Sequence, residues 1–414
     1  MVNLRASRVF GLQAGGSAQL WRQPRQPSLS SLWLSRNSAT GIKRKQNYLP
    51  ASYYRGGTSR ALIFNQQDLP PKREDWAAIF LGTIGGNDVN GRQLDGMGGG
   101  VSSLSKVCVV GPSSHPKADV DYTFAAIGVK DSEVDFAGNC GNMTSAIGPF
   151  AIDTGLVREK ENGDVVVRIH NTNTRKIIHA TFPVVDGEAK AYGDFEIDGV
   201  AGSAAKVQLA FVNPAGSKTG KLLPTGNITD TFSGVTATCV DAGNPCVFLA
   251  ASSLNIDGTI LPDAVDSHPT LLASLESIRR QASVAMGLSK DEASTPGSIP
   301  KVAMVSSPTT HKLLSGEIMH AKDADLVVRA ISVGQPHRAV PITVAMAIAA
   351  AGNIKGSVVE ACLADSRADP DGVTVGHSSG KIVVGSNYDE EGNLLDATVF
   401  RTARRIMEGT VFWK

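Results

Sequence analysis

Cys140 and Lys106 are the residues whose type and setting best suit chemistry. Cys140 stands within Gly138-Asn139-Cys140-Gly141-Asn142, directly before an apolar run over 143–152. If that run is a helix, the thiol lies at its N-terminus, where unpaired N–H groups and the helix dipole favour an anion, thiolate or carboxylate alike. Gly141 permits close approach of a ligand, and Asn139 and Asn142 can cap the helix or donate hydrogen bonds. A free cysteine is more often a small buried apolar residue, and Cys108, Cys239, Cys246 and Cys362 read that way. The polar, glycine-flanked setting separates Cys140 from them.

Lys106 follows the glycine- and serine-rich run 96–105 and opens the apolar stretch 106–110. An amine entering an apolar strand loses hydration, which favours the neutral form a base needs; a paired or snorkelling structural lysine is the alternative. The preceding loop offers the hydroxyls of Ser102 and Ser103. It lacks the order of glycines, lysine and hydroxyl of a phosphate-binding P-loop. A third device is Tyr54-Arg55-Gly56-Gly57-Thr58-Ser59-Arg60. There the Arg55 guanidinium, the Gly57 backbone and the hydroxyls of Thr58 and Ser59 suit a carboxylate. The histidines show no metal-ligand spacing, so no metal is expected. His337 alone among them adjoins a second apolar run, 341–351. The Gly-x-Ser-x-Gly arrangement of serine hydrolases is absent.

These positions need elements to hold them. Short β-branched runs bounded by Gly, Asn, Asp or Pro predict strands at 61–64, 106–110, 120–127, 165–170, 177–185 and 206–212, with a hairpin tip at 171–174. A second series falls at 236–240, 247–250, 302–305, 326–333, 382–384 and 397–401. Apolar spacing of i, i+3, i+4 predicts amphipathic helices over 75–81 and 269–286. The runs 143–152 and 341–351 are apolar on nearly every side, so as helices each must be enclosed by other protein. Pro341 suits the first position of its helix, and Pro149 predicts a kink or an early end in the other. The pattern gives an α+β protein of two similar domains, 46–215 and 216–414, each a curved, mostly antiparallel sheet wrapped around one buried helix. A last strand over 410–414 is expected to return to the first domain.

Composition excludes several classes. Of 414 residues 42% are hydrophobic and the formal net charge is +1, which suits neither a nucleic-acid-binding surface nor a disordered polyelectrolyte. Five scattered cysteines without a Cys-x-x-Cys pair argue against a disulfide framework or a zinc ribbon. No apolar run is long enough for a membrane helix. Residues 1–45 hold eight basic side chains and no acid, which predicts a mitochondrial transit peptide, with a disordered basic arm on a cytoplasmic protein as the alternative. That leaves the rest of the chain net negative, so an anionic ligand must be held by a local site.

Several longer motifs occur in order. They are Arg55-Gly56-Gly57-Thr58-Ser59, Gly99-Gly100-Val101-Ser102-Ser103-Leu104-Ser105-Lys106, Asn139-Cys140-Gly141-Asn142-Met143-Thr144-Ser145-Ala146 and Gly243-Asn244-Pro245-Cys246-Val247-Phe248. The series closes with Arg401-Thr402-Ala403-Arg404-Arg405-Ile406-Met407-Glu408-Gly409. Together they resemble the 2-methylaconitate cis-trans isomerase (PrpF) family, from about residue 52 to the C-terminus. The resemblance implies a diaminopimelate epimerase-like fold with the active site between two domains. It implies cofactor-independent proton transfer on an unsaturated tricarboxylic acid, with Lys106 and Cys140 as the catalytic pair. It also implies carboxylate binding by Arg55, Gly57, Thr58, Ser59, Ser102, Ser103, Gly141, Asn142, Met143 and Asn244. Asn139 and His337 join this set from their positions. Arg60 departs from the lysine the family often carries there, which alters donor geometry. The competing readings are a two-base amino-acid racemase or epimerase, which lacks a second thiol near Gln335-Pro336-His337-Arg338, and a non-catalytic tricarboxylate-binding protein. Which acid is bound, cis-trans isomerisation against double-bond shift, and assembly into a homo-oligomer are all left open.

Overall fold

The computed structural model describes residues 46–136, 139–158, 162–297, 299–332 and 334–414. The basic segment 1–45, with its expected transit peptide, lies outside the described residues.

One large, mostly antiparallel sheet carries nearly all the strands and is built from an element order that occurs twice. First, the hairpin Asn47–Gly56 and Ser59–Asn65 leads through the outer helix Trp76–Ile84 to Lys106–Pro112, parallel to the second hairpin strand. Val120–Ile127 pairs antiparallel with that strand, and Gly163–Asn171 joins in parallel after a crossover through the central helix Gly141–Asp153. Lys176–Val185 and Val207–Val212 then add antiparallel strands. The second pass repeats this order. Val235–Asp241 and Pro245–Ala250 form the hairpin, the outer helix Leu271–Ala285 leads to the parallel strand Lys301–Ser306, and Leu326–Ser332 pairs with it antiparallel. The central helix Ile342–Ala351 crosses to Val373–His377, which is parallel to Leu326–Ser332, and Gly380–Tyr388 and Leu394–Arg401 follow.

Two seams join the passes. Val207–Val212 pairs with Leu394–Arg401, and the final strand Ala403–Trp413 pairs along the whole first strand, Asn47 opposite Trp413 and Gly56 opposite Ala403. The final strand is longer than the expected 410–414, because Arg404, Arg405 and Glu408 interrupt its apolar pattern and hide it from a hydropathy reading.

The central helices are enclosed, as their all-round apolar character requires. Residues 143–152 of the first and 344–351 of the second are all buried, and their apolar side chains belong to one core with the strand faces around them. The far end of the first is pinned. Tyr54 Oη donates to Asp153 Oδ2 at 2.6 Å, the Ala189 N–H donates to Asp153 Oδ1, and the Tyr54 ring meets Phe150 edge-on. Pro149 does not end the helix early, since the helix runs on to Asp153. Burial on every side over-determines its path, so the missing N–H of proline is tolerated. Pro341 is the N-cap rather than the first helical residue. The outer helices pack on the other face of the sheet in separate cores, one with Val107 and Val109, the other with Val302 and Met304.

Candidate active site

The first central helix brings its N-terminus against the Gly-Gly turn of the opening hairpin. A β-carbon on Gly56 would lie 2.6 Å from Asn142 O, and one on Gly57, at φ +50°, would overlap Asn142 Oδ1. Only glycines allow this approach. Asn142 Nδ2 donates to Thr58 Oγ1 at 3.0 Å, and Arg401 Nε donates to Asn142 Oδ1 at 3.2 Å. Cys140 is the N-cap, half-buried, its carbonyl accepting the Thr144 N–H and its Sγ 3.9 Å from Ser59 Oγ. The backbone N–H groups of Gly141, Asn142 and Met143 therefore open beside the thiol without helical partners.

Lys106 begins the neighbouring strand, half-buried, with its ammonium 5.6 Å from the centroid of Phe124. Phe124 belongs to the core around the first central helix, so the lysine stem lies on that face of the sheet. Cys108, two residues on along the same face, feels both Lys106 and Cys140 electrostatically; burial pushes its own thiol up, the charge of a Cys140 thiolate adding to this and Lys106 opposing it. Amine and thiol thus border the same core from separate elements. Cys108, Cys239, Cys246 and Cys362 are buried free thiols, which leaves Cys140 as the cysteine open to a ligand.

The loop before Lys106 is held from below. Gly98 and Gly100 are fixed by Ile84 O and Gln93 Oε1, and Ser105 Oγ donates to the same Gln93 oxygen at 2.6 Å. Ser102 is exposed and Ser103 half-buried in the short turn that follows, where their hydroxyls stay open to solvent.

Some expected site residues take other duties. Arg55 Nη1 donates to Gly57 O, Thr402 O and Thr402 Oγ1, so through that nitrogen it braces the Thr58–Ser59 turn. Arg60, opposite it across the hairpin, lies over the Tyr53 ring. The Met143 side chain is fully buried in the core, so what it offers a ligand is its backbone N–H. Asn139 is exposed, and its Oδ1 accepts from Asn171 Nδ2.

The second helix start completes the opposite wall. A β-carbon on Gly141 would lie 2.8 Å from Ile342 Cδ1, so the two helix N-termini abut. Asn244 is half-buried in the turn next to Gly243, which packs over Met346. His337 is half-buried ahead of the helix, and burial, with the nearby Lys301 charge adding to it, lowers its pKa. Its Nε2 is buried without a partner among the described residues.

Sequence reasoning missed three supports. Arg401 holds Asn142 across the seam. Asn173 Nδ2 donates to Phe124 O and Phe136 O, and Asn171 holds Asn139, so the hairpin tip 171–174 fixes the segment that carries Cys140. The tip itself was legible, but its reach was not, because nothing local encodes those partners.

Two abutting helix N-termini within a curved sheet define an α+β protein of the diaminopimelate epimerase-like class. The chain belongs to the PrpF family, whose model, described as PrpF protein, matches residues 46–414. It is 39% identical over 375 residues to the 3-methylitaconate isomerase of Eubacterium barkeri, covering 89% of this chain and 97% of that one. It is 40% identical over 384 residues to the 2-methyl-aconitate isomerase of Shewanella oneidensis, covering 87% and 96%. The crystal structure of a methylitaconate-delta-isomerase superposes with a TM-score of 0.82 at 39% identity, covering 89% of this chain and 96% of that one.

Proposed function

We propose that this protein is a cofactor-independent isomerase of unsaturated tricarboxylic acids such as 2-methylaconitate or aconitate. The observation that carries this reading is that Lys106, over Phe124, and Cys140, at the cap of the first central helix beside its N–H groups, both border the one core around the central helices. Its relatives named as isomerases of methylaconitate and methylitaconate support the substrate class.

In this reading the Lys106 amine removes a proton from a carbon beside both a carboxylate and the C=C bond. The electron pair delocalises over the allylic system and the carboxylate, and the former double bond rotates or migrates. Cys140 returns a proton to the carbanion, and exchange with solvent then takes the proton from Lys106 and reprotonates the Cys140 thiolate, so substrate and enzyme both balance. The N–H groups of Gly141, Asn142 and Met143, with Thr58, Ser59, Ser102, Ser103 and Asn244, hold the carboxylates and the developing charge. Residues 46–215 and 216–414 act as two domains with the substrate between their helix starts. No helix among the described residues is long and apolar enough to cross a membrane. The basic, acid-free segment 1–45 supports mitochondrial import, which a fluorescent fusion with and without that segment tests.

The purified protein incubated in D₂O with 2-methylaconitate, aconitate, methylitaconate and oxalomesaconate, followed by NMR, tests the reaction. A shifted or isomerised double bond with solvent deuterium at the reacting carbon is the expected result. Deuterium entering an amino acid instead would favour the two-base racemase, and tight binding of aconitate without isomerisation would favour a non-catalytic binder.

A further inference from the structure

Between Lys176–Val185 and Val207–Val212 the chain makes a small excursion that takes no part in the chemistry above. Phe195–Glu196 and Ser203–Ala204 pair antiparallel, with Ser203 opposite Glu196. At the tip the Val200 N–H donates to Ile197 O, and Gly199, at φ +85°, takes the third position of that turn, where a positive φ favours glycine. The root is packed. Phe195 meets Phe400 edge-on with centroids 6.4 Å apart, and the Lys206 ammonium lies 4.1 Å from the Phe400 centroid. Beyond the root none of residues 195–203 is buried. A segment that buries so little opens at low cost in free energy.

The tip nevertheless touches both passes of the fold. Asp198 Oδ2 accepts the Lys381 N–H, and a β-carbon on Gly380 would overlap that same oxygen, so only glycine admits the carboxylate there. The turn beneath is tied to the entry of the second central helix, since Ser379 Oγ donates to Arg338 O at 2.9 Å. On the other side, a β-carbon on Gly199 would lie 3.3 Å from Thr58 Cγ2. Thr58 is otherwise exposed, and its Oγ1 accepts from Asn142 Nδ2, two residues from Cys140. The tip thus reaches from the entry of the second helix to the turn beside the start of the first. A hydrogen bond from a backbone N–H to a carboxylate, stronger than one between neutral groups, holds it there.

We propose that residues 195–204 form a strap over the cleft and that Asp198 is a positioning residue, seating the strap so that Gly199 steadies the Thr58 turn around the bound acid. This rests on the isomerase reading above.

Steady-state kinetics and hydrogen exchange of residues 195–204, read by mass spectrometry, test it. Asp198→Ala is expected to raise KM about tenfold and leave kcat within about threefold, the signature of weakened substrate binding. Asp198→Asn keeps an acceptor for the Lys381 N–H and should stay within about threefold of wild type. A merely structural role would lower the thermal midpoint without moving KM. The exchange probe is tricarballylate, a saturated tricarboxylate that cannot isomerise. It should slow exchange of the strap in the wild-type protein and fail to do so in Asp198→Ala. Wild-type KM in a folded Asp198→Ala, or wild-type strap exchange unaltered by bound tricarballylate, overturns the assignment and leaves the isomerase reading standing. A wild-type protein that neither binds nor converts any tricarboxylate overturns both.

Discussion

Gly141 and Ile342, which begin the two central helices, meet so closely that a β-carbon on Gly141 would lie 2.8 Å from Ile342 Cδ1 and 3.3 Å from its Cβ. Gly141→Ala must therefore push the helix starts apart by a few tenths of an ångström. The expected loss of kcat/KM is at least about tenfold, since misplaced reacting groups cost rate steeply. Ile342→Ala in the same chain should restore part of it. Steady-state kinetics of the two single variants and the double variant check this, and additive losses would refute the contact.

Lys106→Ala should lower kcat by about 10²–10⁴-fold while tricarboxylate binding stays measurable, the usual range for loss of a general base. Cys140→Ser should change both rate and pH profile. Near-normal turnover in either variant removes that residue from the mechanism.

Arg401 holds Asn142, and Asn142 holds Thr58. Burial lowers the pKa of Arg401 to about 10, and Asp198 nearby opposes that shift. Asn142→Ala should cut the link and raise KM about tenfold or more, as expected for the loss of a hydrogen bond to a charged group. An unchanged KM in a folded Asn142→Ala would show that Asn142 does not transmit order to the turn.

Phe150 lies at the centre of the buried helix face, against Tyr54. Phe150→Ala should cost about 3–5 kcal/mol of stability by transfer and cavity terms. Chemical denaturation measures it, and a loss below about 1 kcal/mol would contradict the packing described.

His377 is buried, and its Nδ1 accepts the Ser379 N–H, which requires a neutral ring at that atom. Burial, with Arg401 and Arg329 adding positive charge, lowers its pKa to about 3. Unfolded histidine titrates near 6.5, so below that pH the unfolded chain binds a proton that the native one refuses. The stability His377 supplies above pH ~6.5 is thus lost progressively as pH falls toward about 3. His377→Gln should flatten that part of the stability profile, and an unchanged slope would place the titration elsewhere.

The enclosed helices were legible because a helix apolar all round has only one kind of home, and their positions fixed where Cys140 must sit. Lys106 was legible from the abrupt change of a serine loop into an apolar strand. The bracing contacts of Arg55 were not legible, since its partners at Thr402 lie at the other end of the chain. The supports from Asn171, Asn173 and Arg401 were hidden for the same reason: each spans a long sequence separation, and only the closed sheet defines its partner. The first strand, Asn47–Gly56, was not read from the sequence, because Asn47-Tyr48-Leu49-Pro50 carries no alternation and a proline tolerated at a strand edge.

The clasp between Asn47–Gly56 and Ala403–Trp413 orders events at the ribosome. The hairpin that shelters Cys140 emerges early, yet the strand that covers its open edge is translated after every other element described here. During synthesis that edge offers unpaired backbone groups to any neighbouring chain, so nascent-chain maturation must wait for the tail, and a tail clipped before Ala403 leaves a sticky, incomplete product.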